Sequence, residues 1–168
     1  MQSSVAVLIS GAEETTLTEN DGMDGNEDVI VWRSIAHGNV KHRRVLVVDD
    51  YREAADALQL LLSVDGFECR ALEDPHAVCD LADEWQPFAV VLDIKMPGLD
   101  GFELARRLRA NPSTGHMLLV ACTAFSSTHD LARAKAVGFD AHCAKPLTPQ
   151  RLLRLLEAAT TERDHDSP

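Results

Sequence analysis

Short apolar runs alternate with amphipathic stretches five times from residue 44 onward, and this alternation constrains the fold more than any other feature. The first run, Val45–Val48, is continuously apolar and rich in β-branched residues, as expected of a strand buried on both faces. The predicted strands are Val45–Val48, Phe67–Leu72, Phe88–Leu92, Met117–Cys122 and Ala141–Ala144. Between them, apolar residues recur at the three- and four-residue spacing of helices. The pattern predicts an α/β fold in which a parallel sheet carries helices on both faces.

Residues 1–42 differ in composition from the rest of the chain. They carry seven acidic residues against two basic ones, and their hydrophobic periodicity is weak, so we expect a poorly ordered extension. Two short runs, Val5–Ile9 and Val29–Trp32, have the composition of strands. An isolated hairpin of this kind is marginal unless it docks on another element. We therefore expect an acidic extension over residues 1–42, a globular domain over 43–163 and a polar tail over 164–168.

The net charge of −11 and the lengths of the apolar runs argue against several classes of function. Nucleic-acid binding needs clustered Lys and Arg, which an acidic chain like this one does not supply. No apolar run approaches the roughly 18 residues that span a bilayer. The N-terminus lacks the basic start of a secretory signal. We therefore expect a cytoplasmic protein with no membrane or nucleic-acid partner.

Polar and charged residues terminate four of the five predicted strands. The first strand ends at Asp49 and Asp50, the third at Asp93, the fourth at Thr123 and the fifth at Lys145. In open α/β sheets, functional groups collect at the carboxyl ends of the strands, so these side chains should share one edge. Each residue alone would pass for a helix cap or a surface charge. Their joint occurrence at successive strand ends favours a functional site.

This set of residues suits phosphoryl chemistry that depends on a metal ion. Three neighbouring carboxylates repel one another unless a cation lies among them, and oxygen ligands favour Mg²⁺. An Asp carboxylate can act as a nucleophile. An ammonium and a hydroxyl, here Lys145 and Thr123, can neutralise charge on a transferring phosphoryl group.

The chain resembles the receiver domains of two-component response regulators, from Arg44 to near Glu162. The matching stretches are residues 45–50 (VLVVDD), 90–101 (VVLDIKMPGLDG), 121–124 (ACTA) and 144–146 (AKP). The resemblance implies a doubly wound, flavodoxin-like domain with five helices and a five-stranded parallel sheet of order 2-1-3-4-5. It also implies a phospho-accepting module in a phosphorelay, rather than an enzyme that turns over a substrate.

The resemblance assigns roles at the metal site. Asp93 would accept the phosphoryl group from a phosphohistidine on a sensor histidine kinase or a histidine phosphotransfer protein. Asp50 would ligate Mg²⁺ directly and Asp49 largely through water. Asp93 itself and the backbone carbonyl of Lys95 would complete the metal ligands.

Further roles concern the phosphate and the switch that follows phosphorylation. By resemblance, Lys145 would contact the phosphate, and its peptide bond to Pro146 would be cis. The Thr123 hydroxyl would move toward the new phosphate. The family usually has an aromatic switch residue three positions before the lysine, where this chain has His142; a partly exposed strand residue with no switching role is the alternative.

Two positions are expected to tune the lifetime of the phosphorylated state. Lys95 lies two residues after Asp93, and Phe125 lies two after Thr123. By resemblance, both line the approach of water to the acyl phosphate. A dephosphorylation half-life that is unchanged in Phe125→Ala would contradict this expectation.

Other functions are less consistent with the sequence. A phosphatase of the haloacid-dehalogenase type would need a second acid two residues after the nucleophile, where this chain has Lys95. A nucleotide-binding protein would need a glycine-rich loop after the first strand, and residues 51–53 offer none. A degenerate receiver that serves only as a docking module remains as an alternative.

The sequence contains no recognisable output domain, so we expect a stand-alone receiver or a fragment of a larger regulator or hybrid kinase. The face formed by the fourth helix, fifth strand and fifth helix of the domain is the expected surface for a downstream protein target or a homodimer.

Overall fold

A computed structural model describes residues 5–7, 15–17, 29–33, 40–124, 127–146 and 148–160. Its strands are β1 Val5–Val7, β2 Thr15–Leu17, β3 Val29–Val31, β4 Arg44–Val48, β5 Glu68–Leu72, β6 Ala89–Asp93, β7 Leu118–Thr123 and β8 Ala141–Ala144. Its helices are α1 Arg52–Val64, α2 Val78–Trp85, α3 Gly101–Ala110, α4 Thr128–Val137 and α5 Pro149–Thr160, with a 3-10 turn at Pro75–Ala77. No helix of this described part is long and apolar enough to cross a membrane.

The described strands form one sheet in the order β2-β1-β3-β8-β7-β6-β4-β5. The last five strands of this order are mutually parallel. Taken along the chain from β4, they have the predicted order 2-1-3-4-5, which confirms the doubly wound fold. The observed strands begin or end within a residue of the predicted ones.

Two apolar layers cover the two faces of the sheet. Alternate strand residues point to opposite faces, so Val45 and Val47 lie in one layer and Leu46 and Val48 in the other. The first layer includes side chains of α1 and α5, and the second includes side chains of α2, α3 and α4. Four of the parallel strands, β4, β6, β7 and β8, are therefore buried on both sides, whereas the outer strand β5 exposes Glu68 and Arg70.

Local sequence signals explain where several helices begin and end. The Asp100 side chain accepts a hydrogen bond from the Phe102 N–H at the start of α3, and Ser127 does the same for Asp130 in α4. Gly138 ends α4 with φ of 112°, a left-handed conformation that glycine adopts without steric cost. The two N-caps fix loops at the carboxyl edge of the sheet, whereas Gly138 returns the chain to the start of β8 at the opposite edge.

Three strands from the N-terminal region extend the sheet beyond β8. Strand β3 pairs antiparallel with β8, β1 pairs parallel with β3, and β2 pairs antiparallel with β1. Strands were predicted near residues 5–9 and 29–32, whereas β2 was not. The docking on β8 supplies the support that an isolated hairpin would lack. The division of the chain at residue 43 stays a prediction, and the tail over residues 164–168 lies outside the described residues.

Candidate functional site at the carboxyl edge of the sheet

Three carboxylates meet where β4 and β6 end. Asp49, Asp50 and Asp93 each offer one oxygen, and these three oxygens lie within 4.8 Å of one another. Asp49 and Asp93 are buried, each 8% exposed, whereas Asp50 is exposed. We call these three residues the acidic cluster. Their carboxylates repel one another, so the cluster has the charge and the oxygen donors for a divalent cation.

Lys145 lies between the two buried members of the acidic cluster. Its Nζ is 2.8 Å from Asp49 Oδ2 and 3.2 Å from Asp93 Oδ2. The backbone N–H of Lys145 donates to the Thr123 carbonyl at 3.0 Å, which fixes the Lys145 backbone beside β7. The peptide bond from Lys145 to Pro146 is cis, as the resemblance implied.

The surroundings of Asp93 shift its proton affinity. Burial raises the pKa of the Asp93 carboxyl above its ordinary value, and the Asp49 charge adds to the rise. Lys145 and a hydrogen bond from the Lys95 N–H to Asp93 Oδ1, at 3.2 Å, oppose the rise without cancelling it. Burial lowers the pKa of the Lys145 ammonium, but Asp49 and Asp93 outweigh this effect, so its pKa is raised overall. Lys145 therefore stays charged across the physiological range.

The loop from β6 to α3 folds back tightly beside Asp93. The Gly101 N–H donates to the Ile94 carbonyl at 3.1 Å. A Cβ atom at Gly101 would lie 2.7 Å from Ile94 Cα, which is closer than such atoms approach. Only glycine fits here, and its close contact with Ile94 helps to position Lys95, the next residue in the loop.

Two cavities open beside these side chains. One of about 650 Å³ is lined by Asp50, Lys95 and Thr123, among others. Another of about 390 Å³ is lined by Asp93 and Lys145, together with apolar residues of α1 and α5. A group as small as a phosphoryl group therefore has room beside the acidic cluster.

The predicted site residues are only partly brought together. The acidic cluster, Lys145 and Thr123 share the carboxyl edge, and Thr123 is buried at the last position of β7. His142 lies in the middle of β8 and is 1% exposed, with Ala121 as its neighbour on β7. Phe125 lies outside the described residues.

Sequence reasoning did not find the residue that contacts His142. The Trp32 ring lies against the His142 ring, with the ring centroids 6.3 Å apart. The apolar run at residues 29–32 indicated a buried segment that includes Trp32, but nothing in that run indicates which edge of the sheet it joins.

Comparisons with known proteins agree with this fold. The family described as "Response regulator receiver domain" matches residues 45–157. Response regulator MprA of Mycobacterium sp. (strain KMS) is 36% identical over 130 residues, which cover 74% of this chain and 55% of MprA. An uncharacterized 14.6 kDa protein in the sodA1 3′ region of Leptolyngbya boryana is 32% identical over 113 residues, 67% of this chain and 86% of that protein.

A solved structure supports the same fold. The chemotaxis protein CheY4 of Vibrio cholerae superposes with a TM-score of 0.67 at 24% identity, covering 70% of this chain and 98% of CheY4. The chain belongs to the response regulator receiver domain family, and hence to two-component signal transduction. It spans about half the length of MprA.

Proposed function

We propose that Asp93 accepts a phosphoryl group from a phosphohistidine of a sensor histidine kinase or a histidine phosphotransfer protein. The observation that carries the proposal is the placement of Asp93 Oδ2 within 3.2 Å of Lys145 Nζ, inside a cluster of three carboxylates. The phosphorylated domain then changes its binding to a downstream protein.

The donor set fits Mg²⁺. The three clustered oxygens lie close enough to share one ion, and the Lys95 carbonyl is the proposed fourth protein ligand. Bound Mg²⁺ would neutralise charge on the acids and on the phosphoryl oxygens.

The residues of the chain supply the remaining chemistry. A carboxylate oxygen of Asp93 attacks phosphorus as the bond from the donor histidine nitrogen to phosphorus breaks, and the electron pair of that bond returns to the imidazole. Burial raises the proton affinity of the Asp93 carboxylate and makes it a better nucleophile in its ionised form. The Lys145 ammonium is positioned to turn from the carboxylates to the phosphoryl oxygens. The buried Thr123 hydroxyl is the proposed second donor.

The surface beside the site suits a protein as phosphodonor. Tyr51 and Leu61 line the cavity that contains Asp93 and Lys145, and these two residues are 63% and 44% exposed. Leu60 and Val64 of α1 are exposed as well, and an exposed apolar patch of this kind is typical of protein-interaction surfaces. We propose that the donor docks on α1 and that the downstream target binds the face formed by α4, β8 and α5.

Receiver domains are typically not turnover enzymes, and one residue of this chain argues against a phosphatase. Lys95, and not an acid, occupies the position two residues after Asp93, where a phosphatase of the alternative type would need its second carboxylate. A domain that serves only for docking would not need a lysine held between two buried acids.

Incubation with acetyl phosphate and Mg²⁺ tests the proposal. We expect intact-mass measurement to show a gain of one phosphoryl group, stable in acid and labile in base. Asp93→Asn should lose the adduct. Asp100→Asn should keep it, because Asp100 is an exposed carboxylate at the same edge whose capping role Asn preserves. A wild-type chain without an adduct, or steady turnover of the donor as a phosphatase substrate, would overturn the proposal.

A further inference from the structure

Strand β3 pairs with β8, the last strand of the receiver sheet, although β3 precedes the matched family region of residues 45–157. Its residues pair antiparallel with β8, with Val29 opposite Cys143, Ile30 opposite His142 and Val31 opposite Ala141. The Trp32 N–H then donates to the Asp140 carbonyl at 2.7 Å. The open edge of β8 is thereby occupied by the chain's own N-terminal region.

Both faces of this added strand are packed. Val29 and Val31 are buried in the layer that includes α5, whereas Trp32 is 5% exposed in the layer that includes α4. Ile30 also packs against the second layer, so β3 contributes to both faces of the sheet where it extends β8. Residues 29–33, which we call the N-terminal cover, therefore occupy the face that we assign to the downstream target.

The N-terminal cover contacts the predicted switch residue directly. His142 has Ile30 as its partner on one side and Ala121 of β7 on the other. The Trp32 ring lies 6.3 Å from the His142 ring, between centroids. Two residues after Ala121, β7 ends at Thr123. Strand neighbours thus connect Trp32 to the carboxyl edge that holds Asp93.

We propose that the N-terminal cover is an autoinhibitory segment that binds the unphosphorylated domain and is released when Asp93 is phosphorylated. The inference rests on the proposed function, because it takes Asp93 as the phosphorylated residue. A strand packed on both faces fits one arrangement of β8 and tolerates little displacement. Movement of Thr123 and β8 toward a phosphate would break that fit.

The coupling must act in both directions. If phosphorylation weakens docking of the N-terminal cover by some factor, loss of the cover favours phosphorylation by the same factor at equilibrium. Couplings between protein sites commonly amount to about 5-fold or more. Both directions are measurable on the full chain.

Hydrogen exchange measured by mass spectrometry tests the release. The full chain is incubated with Mg²⁺, with and without acetyl phosphate, and intact mass gives the phosphorylated fraction of the same sample. We expect amides of residues 29–33, including that of Trp32, to exchange about 5-fold faster or more in the phosphorylated chain. Asp93→Asn should show no difference between the two conditions.

Variants test the reverse direction. At limiting acetyl phosphate, Trp32→Ala should raise the phosphorylated fraction, whereas Trp32→Phe keeps a ring against His142 and should behave like the wild type. Val29→Ala removes less packing and serves if Trp32→Ala fails to fold. Full phosphorylation with unchanged exchange at residues 29–33 overturns the autoinhibitory role and leaves the proposed function standing. Absence of any adduct overturns the proposed function, and the link between the N-terminal cover and phosphorylation falls with it.

Discussion

Replacement of Lys145 by Met removes the charge that lies between two buried carboxylates while it keeps much of the side-chain shape. At an effective dielectric constant of about 20, the attraction of Nζ to Asp49 at 2.8 Å is about 6 kcal/mol, and that to Asp93 at 3.2 Å is about 5 kcal/mol. Desolvation of the same ions offsets most of this gain, and breaking a buried ion pair typically costs about 3–5 kcal/mol. The Lys145 side chain is 30% exposed, so we expect the lower end, about 3 kcal/mol.

Thermal unfolding in EDTA and in Mg²⁺ measures this effect. For a chain of this size, about 3 kcal/mol lowers Tm by roughly 6–12 °C. Mg²⁺ should restore part of the loss, because the variant keeps all three acids and lacks the ammonium that repels the ion. The matched control Lys95→Met removes an exposed lysine at the same edge and should change stability by only about 0.5 kcal/mol. A cost below about 1 kcal/mol in EDTA, or an equal cost with and without Mg²⁺, would refute the electrostatic reasoning.

Three further outcomes follow from the geometry. The pKa of Asp93 is raised, so protons should compete with Mg²⁺ at this carboxyl at a higher pH than they would at an ordinary aspartate. Calorimetric titration should therefore show that Mg²⁺ affinity rises with pH as Asp93 loses its proton. An identical pH dependence in Asp93→Asn would contradict this. Gly101→Ala places a Cβ 2.7 Å from Ile94 Cα, so urea unfolding should show a loss of about 1–3 kcal/mol in the free energy of unfolding. Phosphorylation of this variant should also be slower. An unchanged stability would mean that the loop has room to move. Arg109 donates hydrogen bonds to the carbonyls of residues 115, 117 and 138 and to the Asp140 carboxylate. Arg109→Met should therefore lower the free energy of unfolding by about 3–5 kcal/mol in the same assay. Phosphorylation at low temperature should be unchanged.

The N-terminal cover occupies part of the face formed by α4, β8 and α5, which we assign to the downstream target. In this chain the edge of β8 is paired with β3 and is not open to a partner. A target that needs this edge has to displace residues 29–33, so the affinity of the target and the docking of the N-terminal cover oppose each other. In the proposed mechanism, phosphorylation of Asp93 shifts that competition toward the target.

The sequence predicted those parts of the site whose positions depend only on where a strand ends. Apolar runs that stop at Asp49, Asp93 and Thr123 place these side chains at one edge, because the carboxyl ends of parallel strands coincide. The contacts of Lys145 with both acids required the folded structure, since they join residues 96 and 52 positions apart. No local pattern specifies such distances.

The sequence alone determined the doubly wound fold and the composition of the acidic cluster, because both follow from local periodicity and from which residue terminates each strand. Only the tertiary structure decided that Val29–Val31 pairs with β8 and that Trp32 packs on His142. An apolar strand pattern shows that a segment will be buried, but its partner is fixed by which edge has matching hydrogen-bonding groups and apolar space on both sides. That complementarity exists only after β8, α4 and α5 have assembled.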